Sequence, residues 1–229
     1  MNETQLRALR EEIVRSAAGL VSAGVLSASK HGNWSVRVPG EDRILMTGSS
    51  LSSMDPADIA LLDLDGNVVE GSLTSTSAEI IRMHTCVYLE RPGVGSVVHT
   101  HSPYTTAFAV ASRPLECFSE ALARLGSAEP IPVARYGPRG SDQAVANIVD
   151  ALKQSPTQRA VLLENHGLLA FGDDVAAAQR MVFALEETAQ MAILASAIGT
   201  PRALTPEMAT QTIERRAAFE HAGTMTARS

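Results

Sequence analysis

The chain has 229 residues, 25 acidic against 19 basic side chains, a formal net charge of −6 and 45% hydrophobic residues. That composition is globular and long enough to bury a core without staples, and an acidic balance with no basic stripe excludes a nucleic-acid partner. The N-terminal stretch is charged and the longest uncharged run, 92–112, holds two histidines and two prolines, so neither a secretory signal nor a membrane span is expected and the cytoplasm is the expected compartment.

In chain order, Leu6, Leu9, Ile13, Val14, Ala17, Leu20 and Val21 recur at helical spacing and predict a helix over 4–23 ended by Gly24. Trp34, Val36 and Val38 alternate with polar residues, and Pro39-Gly40-Glu41-Asp42 separates them from Ile44-Leu45-Met46, a hairpin pattern. A second hairpin is predicted from Ile59–Leu64 and Val68-Val69 around Asp65-Gly66-Asn67. Residues 78–90 return to helical periodicity and stop at Arg91-Pro92-Gly93. Val94–His99 reads as a strand, Pro103–Ala111 as a short helix, Ile131–Tyr136 as a strand and 142–153 as a helix. Val161-Leu162-Leu163 and Leu168–Phe171 flank Asn165-His166-Gly167. An Ala-rich helix over 174–198 and a last helix over 206–220 follow. Interleaved helices with hairpins too short for crossover helices predict a single α/β domain over 1–229, with a mixed, mostly antiparallel sheet between helical layers. Cys86 and Cys117 form no disulfide framework; Cys86 reads as a buried thiol.

The histidines carry the chemistry. His99 and His101 form an H-x-H at the end of an apolar strand, and residues two apart in a strand share a face. His166 also ends a strand, with Gly167 after it to give the backbone freedom to aim the ring. Three imidazoles leave a fourth position open, the pattern of a catalytic zinc site. His84 reads as a packed or hydrogen-bonded structural residue; His31 and His221 carry no signal alone. Three loops rich in Gly, Ser and Thr, at 31–35, 47–50 and 75–79, offer N–H groups and hydroxyls to an anion. Their alternative reading is ordinary turn and N-cap chemistry, with Thr76 or Ser77 as cap.

Taken in order, GNWSVRV, MTGSS, DLDGNVVEGSLTSTSAE, RPGVGSVVHTHSPY and LENHGLLAFG resemble the class II aldolase/adducin-head family over essentially the whole chain. The resemblance implies a three-layer α/β/α fold and a metal, Zn²⁺ or else Mn²⁺ or Co²⁺, on His99, His101 and His166. It implies that Glu79 ligates the metal at rest and acts as acid or base once substrate displaces it. It implies a substrate-phosphate cradle of Gly32, Asn33, Thr47, Gly48 and Ser77, and a homotetramer. The expected function is a metal-dependent lyase that cleaves a small ketose phosphate by retro-aldol chemistry through a metal-stabilised enediolate. Alternatives on the same site are a decarboxylase of an oxo sugar-acid phosphate, a ketose-phosphate 4-epimerase, and a non-catalytic adducin-like module. Ala78 stands where the family's aldolases carry a second serine, and Glu79 and His84 are one residue further apart than in those enzymes. Phe118 lies in the segment where the aldolases use a proton-donating tyrosine; Glu120, Tyr136 and His221 are the candidates to replace it.

Overall fold

The computed structural model describes residues 1–48 and 50–221, with the side chains of residues 75, 76, 220 and 221 outside the description. The chain opens with α1 (Glu3–Ser22), capped by the Asn2 side chain on Gln5 N and followed by Gly24 at φ +69°, a conformation that glycine adopts without penalty. Two hairpins follow, β1 (Gly32–Arg37) with β2 (Arg43–Met46) and β3 (Ala60–Asp63) with β4 (Val68–Glu70), the second turning at Gly66 with φ +93°. Next come α2 (Ser75–Glu90), β5 (Ser96–Thr100), α3 (Pro103–Val110), α4 (Glu120–Arg124) and β6 (Val133–Ala134). The rest is α5 (Asp142–Gln154), β7 (Ala160–Leu163), β8 (Gly167–Gly172), α6 (Val175–Ser196) and α7 (Pro206–His221).

The eight strands form one sheet in the order β4-β3-β2-β1-β5-β8-β7-β6. Only the β6–β7 pair is parallel, so the mixed, mostly antiparallel sheet is as expected. Strand alternation sorts the core into two apolar clusters. Trp34, Val36, Leu45, Val98, Leu162 and Leu168 face α1, α3 and α6. Met46, Leu62, Val97, Val161, Leu169 and Phe171 face α2 and α5. The result is the three-layer α/β/α arrangement. Cys86 and Cys117 are buried free thiols, and burial pushes Cys86 up to about 12.

Three local expectations change. Helix α2 begins at Ser75 with Thr74 at its N-cap position, so Thr76 and Ser77 belong to its first turn rather than capping it. The strand predicted over 131–136 shortens to two residues, and the helix α4 had no counterpart in the sequence reading. In β1 the polar positions are not solvent-facing: Asn33 and Ser35 are fully buried, because a central strand is covered on both faces.

Candidate metal centre and its flanking pockets

Strand β5 is buried along its whole length and delivers His99 to the centre of the sheet, opposite Asn33 on β1 and Leu169 on β8. His99 is fully buried, and its Nδ1 lies 2.9 Å from the carbonyl oxygen of Leu168. A carbonyl only accepts, so Nδ1 carries the proton and Nε2 keeps its lone pair. His101 follows one residue past the strand end. His166 stands in the β7–β8 hairpin, whose last pair is Leu163 with Gly167; Asn165 at φ +56° and the His166 N to Leu163 O bond of 2.9 Å make the turn.

The structure brings the three predicted histidines together. One ligand nitrogen from each lies within 4.8 Å of the others, and the ring centroids are 4.6–5.0 Å apart. Nε2 of His99 and Nε2 of His101 are buried with no hydrogen-bond partner. Buried polar atoms are nearly always paired, so two orphaned imidazole nitrogens in one cluster fit a divalent cation. Burial, then the neighbouring histidines, holds His99 well below its ordinary value. Burial first, then nearby positive groups, lowers His101 and His166 to about 4. All three rings are therefore neutral at pH 7, the form that binds metal. Gly167 has an ordinary φ; the expected reason for it, freedom to aim the ring, gives way to space, since a Cβ there would strike the Thr100 carbonyl and crowd the imidazoles of His99 and His101.

Glu79 is not brought into this cluster. Its carboxylate pairs with Arg139 at 3.1 Å, and the two line one cavity with His166, Arg135 and Glu164. Gly140, at φ +76°, packs against the Glu79 side chain. The cradle residues sit on the other side. Thr47, Gly48 and Ser77 line a second cavity, and Gly32 and Asn33 lie on the neighbouring strand. The Thr47 hydroxyl accepts from Trp34 N at 2.9 Å and donates to Gly48 O at 3.0 Å, so it shapes the loop. Ser77 Oγ is 2.9 Å from Thr74 Oγ1. Gly32 is required by close packing, because a Cβ would stand 2.7 Å from His99 O.

Two residues at the site escaped the sequence reading. His31 packs its ring 4.6 Å from that of His101. Its signal was available: an antiparallel register that sets Gly32 against Thr100 sets His31 against His101. Arg139 had no local signal, because only the fold carries the turn before α5 to Glu79. Of the candidate proton donors, Glu120 pairs with Arg124 on α4, away from both cavities. Tyr136 lies between Arg135 and Gly137, two residues that line the Glu79 cavity. The side chain of His221 lies outside the described residues.

The family described as "Class II Aldolase and Adducin N-terminal domain" matches residues 11–193. An L-fuculose phosphate aldolase of Methanococcus maripaludis (strain C7) is 32% identical over 160 residues, 70% of this chain and 83% of that protein. A 5-deoxy-D-ribulose 1-phosphate aldolase of Bacillus thuringiensis serovar kurstaki is 32% identical over 199 residues, 85% of this chain and 89% of its own length. Among solved structures, an L-fuculose 1-phosphate aldolase superposes with a TM-score of 0.81 at 28% identity, covering 92% of this chain and 96% of that one.

Proposed function

We propose that this chain, which belongs to the class II aldolase and adducin N-terminal domain family, is a metal-dependent lyase that cleaves a small ketose phosphate by retro-aldol chemistry. The observation that carries the reading is the convergence of His99, His101 and His166 with two orphaned Nε2 atoms. The relatives named as sugar-phosphate aldolases support it. His99, His101 and His166 would hold a divalent cation, Zn²⁺ first and Mn²⁺ or Co²⁺ as substitutes, which would supply Lewis acidity to a ketose carbonyl.

The chain's own residues do the rest. Asn33, the Gly48 backbone and Ser77 hold the phosphate end. Glu79 leaves Arg139 and takes or returns the proton at the carbon that loses its bond. Tyr136, between two residues that line the Glu79 cavity, accepts the proton of the hydroxyl whose oxygen departs as the aldehyde and returns it in the aldol direction. The enzyme is cytoplasmic and works as a homotetramer; no described helix is long and apolar enough to cross a membrane. One observation favours a second reading, decarboxylation of an oxo sugar-acid phosphate: Arg135 and Arg139 both line the Glu79 cavity, where a substrate carboxylate would find cationic partners.

The zinc-loaded protein is to be tested on a panel of ketose 1-phosphates and oxo-acid phosphates, with aldehyde, epimer and CO₂ measured together. Dihydroxyacetone phosphate and an aldehyde from a ketose 1-phosphate are expected. Release of CO₂ as the only product selects the second reading. Glu79→Gln is expected to keep its zinc and lose turnover by about 10²–10⁴-fold; an unimpaired rate moves the proton to another group.

A further inference from the structure

Asn33 carries the one buried side-chain amide nitrogen, among the described residues, that has no hydrogen-bond partner. Its Oδ1 lies 2.5 Å from His84 Nε2. A carbonyl oxygen only accepts, so Nε2 carries the proton. Burial lowers His84 to about 3, so the ring is neutral and holds that single proton. Nδ1 is then an acceptor, and Ser35 Oγ, 2.7 Å away, donates to it. The Ser35 oxygen in turn takes the Tyr88 phenol at 2.9 Å. Each bond fixes the direction of the next, from Tyr88 through Ser35 and His84 to Asn33. All four residues are buried, so no water competes for these groups.

The relay ends on a donor with nothing to donate to. With Oδ1 on His84 Nε2, Nδ2 is the amide group left unpaired, and leaving a buried N–H unpaired is costly. Strand β1 lies between β5, which carries His99, and β2, which leads into Thr47 and Gly48. Asn33 therefore stands on the strand that separates the one carrying His99 from the one leading into Thr47 and Gly48. We propose that His84, held by Ser35 and Tyr88, is a positioning residue that fixes the Asn33 amide so that Nδ2 donates to a phosphate oxygen of the substrate. This rests on the reading of the cradle given under the proposed function and adds the residues that set its geometry.

Titration of the full-length, zinc-loaded protein with inorganic phosphate tests it. His84→Gln keeps an amide N–H near the place of Nε2 and is expected to bind phosphate within threefold of wild type. His84→Leu removes the donor and is expected to weaken phosphate about tenfold or more, with zinc content unchanged. Ser35→Ala leaves the imidazole in place but frees its tautomer, and is expected to weaken phosphate severalfold; it decides the matter if His84→Leu does not fold. With substrate, the same variants raise KM for the phosphorylated ketose more than they lower kcat, a split that loss of packing alone does not produce. Folded variants that bind phosphate as wild type does overturn the relay. A wild type that ignores phosphate overturns the cradle itself, and the relay's ligand with it.

Discussion

At Gly167 a Cβ would stand 2.5 Å from the carbonyl oxygen of Thr100, 3.1 Å from His101 Cδ2 and 3.2 Å from His99 Cε1. The backbone oxygen cannot retreat without breaking the β5–β8 ladder, and the two rings cannot retreat without leaving the cluster. Gly167→Ala is therefore expected to cost about 1–3 kcal/mol as overpacking, and to lower zinc content at least tenfold by pushing the imidazoles apart. Thermal melts and metal analysis of the purified variant measure both. Gly93→Ala is the control, since a Cβ there meets nothing within 4 Å. Full zinc occupancy in Gly167→Ala would mean that the hairpin shifts as a unit. The same crowding explains the chemistry that the sequence displays. His99, His101 and His166 were legible because each ends an apolar run; the neutral state that makes them ligands comes from burial, which only the packed sheet supplies.

Among the elements, most were legible, the β3–β4 hairpin and the short helix α3 included; the start of α2, the length of β6 and the helix α4 were not. The helices α1, α5 and α6 and the strands β1, β2, β7 and β8 follow from apolar spacing, because their faces are large enough to dominate local propensity. The start of α2 was misplaced because Thr74, Thr76 and Ser77 all suit an N-cap and only the tertiary position of the turn selects Thr74. Helix α4 has five residues, less than two turns, and draws its stability from packing rather than period. Glu186 was hidden for a related reason: in sequence it is one of three charges in an Ala-rich helix. In the fold it is 4% exposed and accepts from Tyr104 N at 2.8 Å, Thr105 N at 2.8 Å and Thr105 Oγ1 at 2.9 Å. It thus caps α3 from α6, and α3 begins two residues after His101. Burial raises its pKa despite those three donors. Glu186→Ala strands two backbone N–H groups and is expected to destabilise the protein by roughly 2–4 kcal/mol, read by urea denaturation. Zinc affinity should fall with it, as the His101 segment loses its anchor; Glu186→Gln keeps one acceptor and should fall between. Wild-type stability in the alanine variant would remove the cap from the account of the site.

Over the whole molecule, a net charge of −6 sets solubility and long-range steering, while the potential in a cleft follows from its own groups. Arg135 and Arg139 balance Glu79 and Glu164 beside a neutral His166 on one side of the site, and hydroxyls and N–H groups line much of the other, so the net charge of the chain does not set the potential that an anionic substrate meets. The outer surface raises a different question. Met191, Leu194 and Ile198, at the C-terminal end of α6 and just beyond, are 43%, 60% and 92% exposed, and Met208 and Phe219 on α7 are 52% and 65% exposed. Met191, Leu194 and Ile198, three or four residues apart at one end of α6, are characteristic of a contact surface rather than of scattered exposure. Burying them against further copies gives the proposed homotetramer its driving force, since association is favoured by apolar area removed from water. Sedimentation or light scattering is expected to give a mass about four times the 24.2 kDa of the chain. Leu194→Asp with Ile198→Asp places two carboxylates in that contact and should lower the mass while far-UV circular dichroism stays unchanged. A wild-type chain that sediments as a monomer at micromolar concentration would rule the tetramer out, and a tetramer indifferent to both aspartates would move its contact to another face.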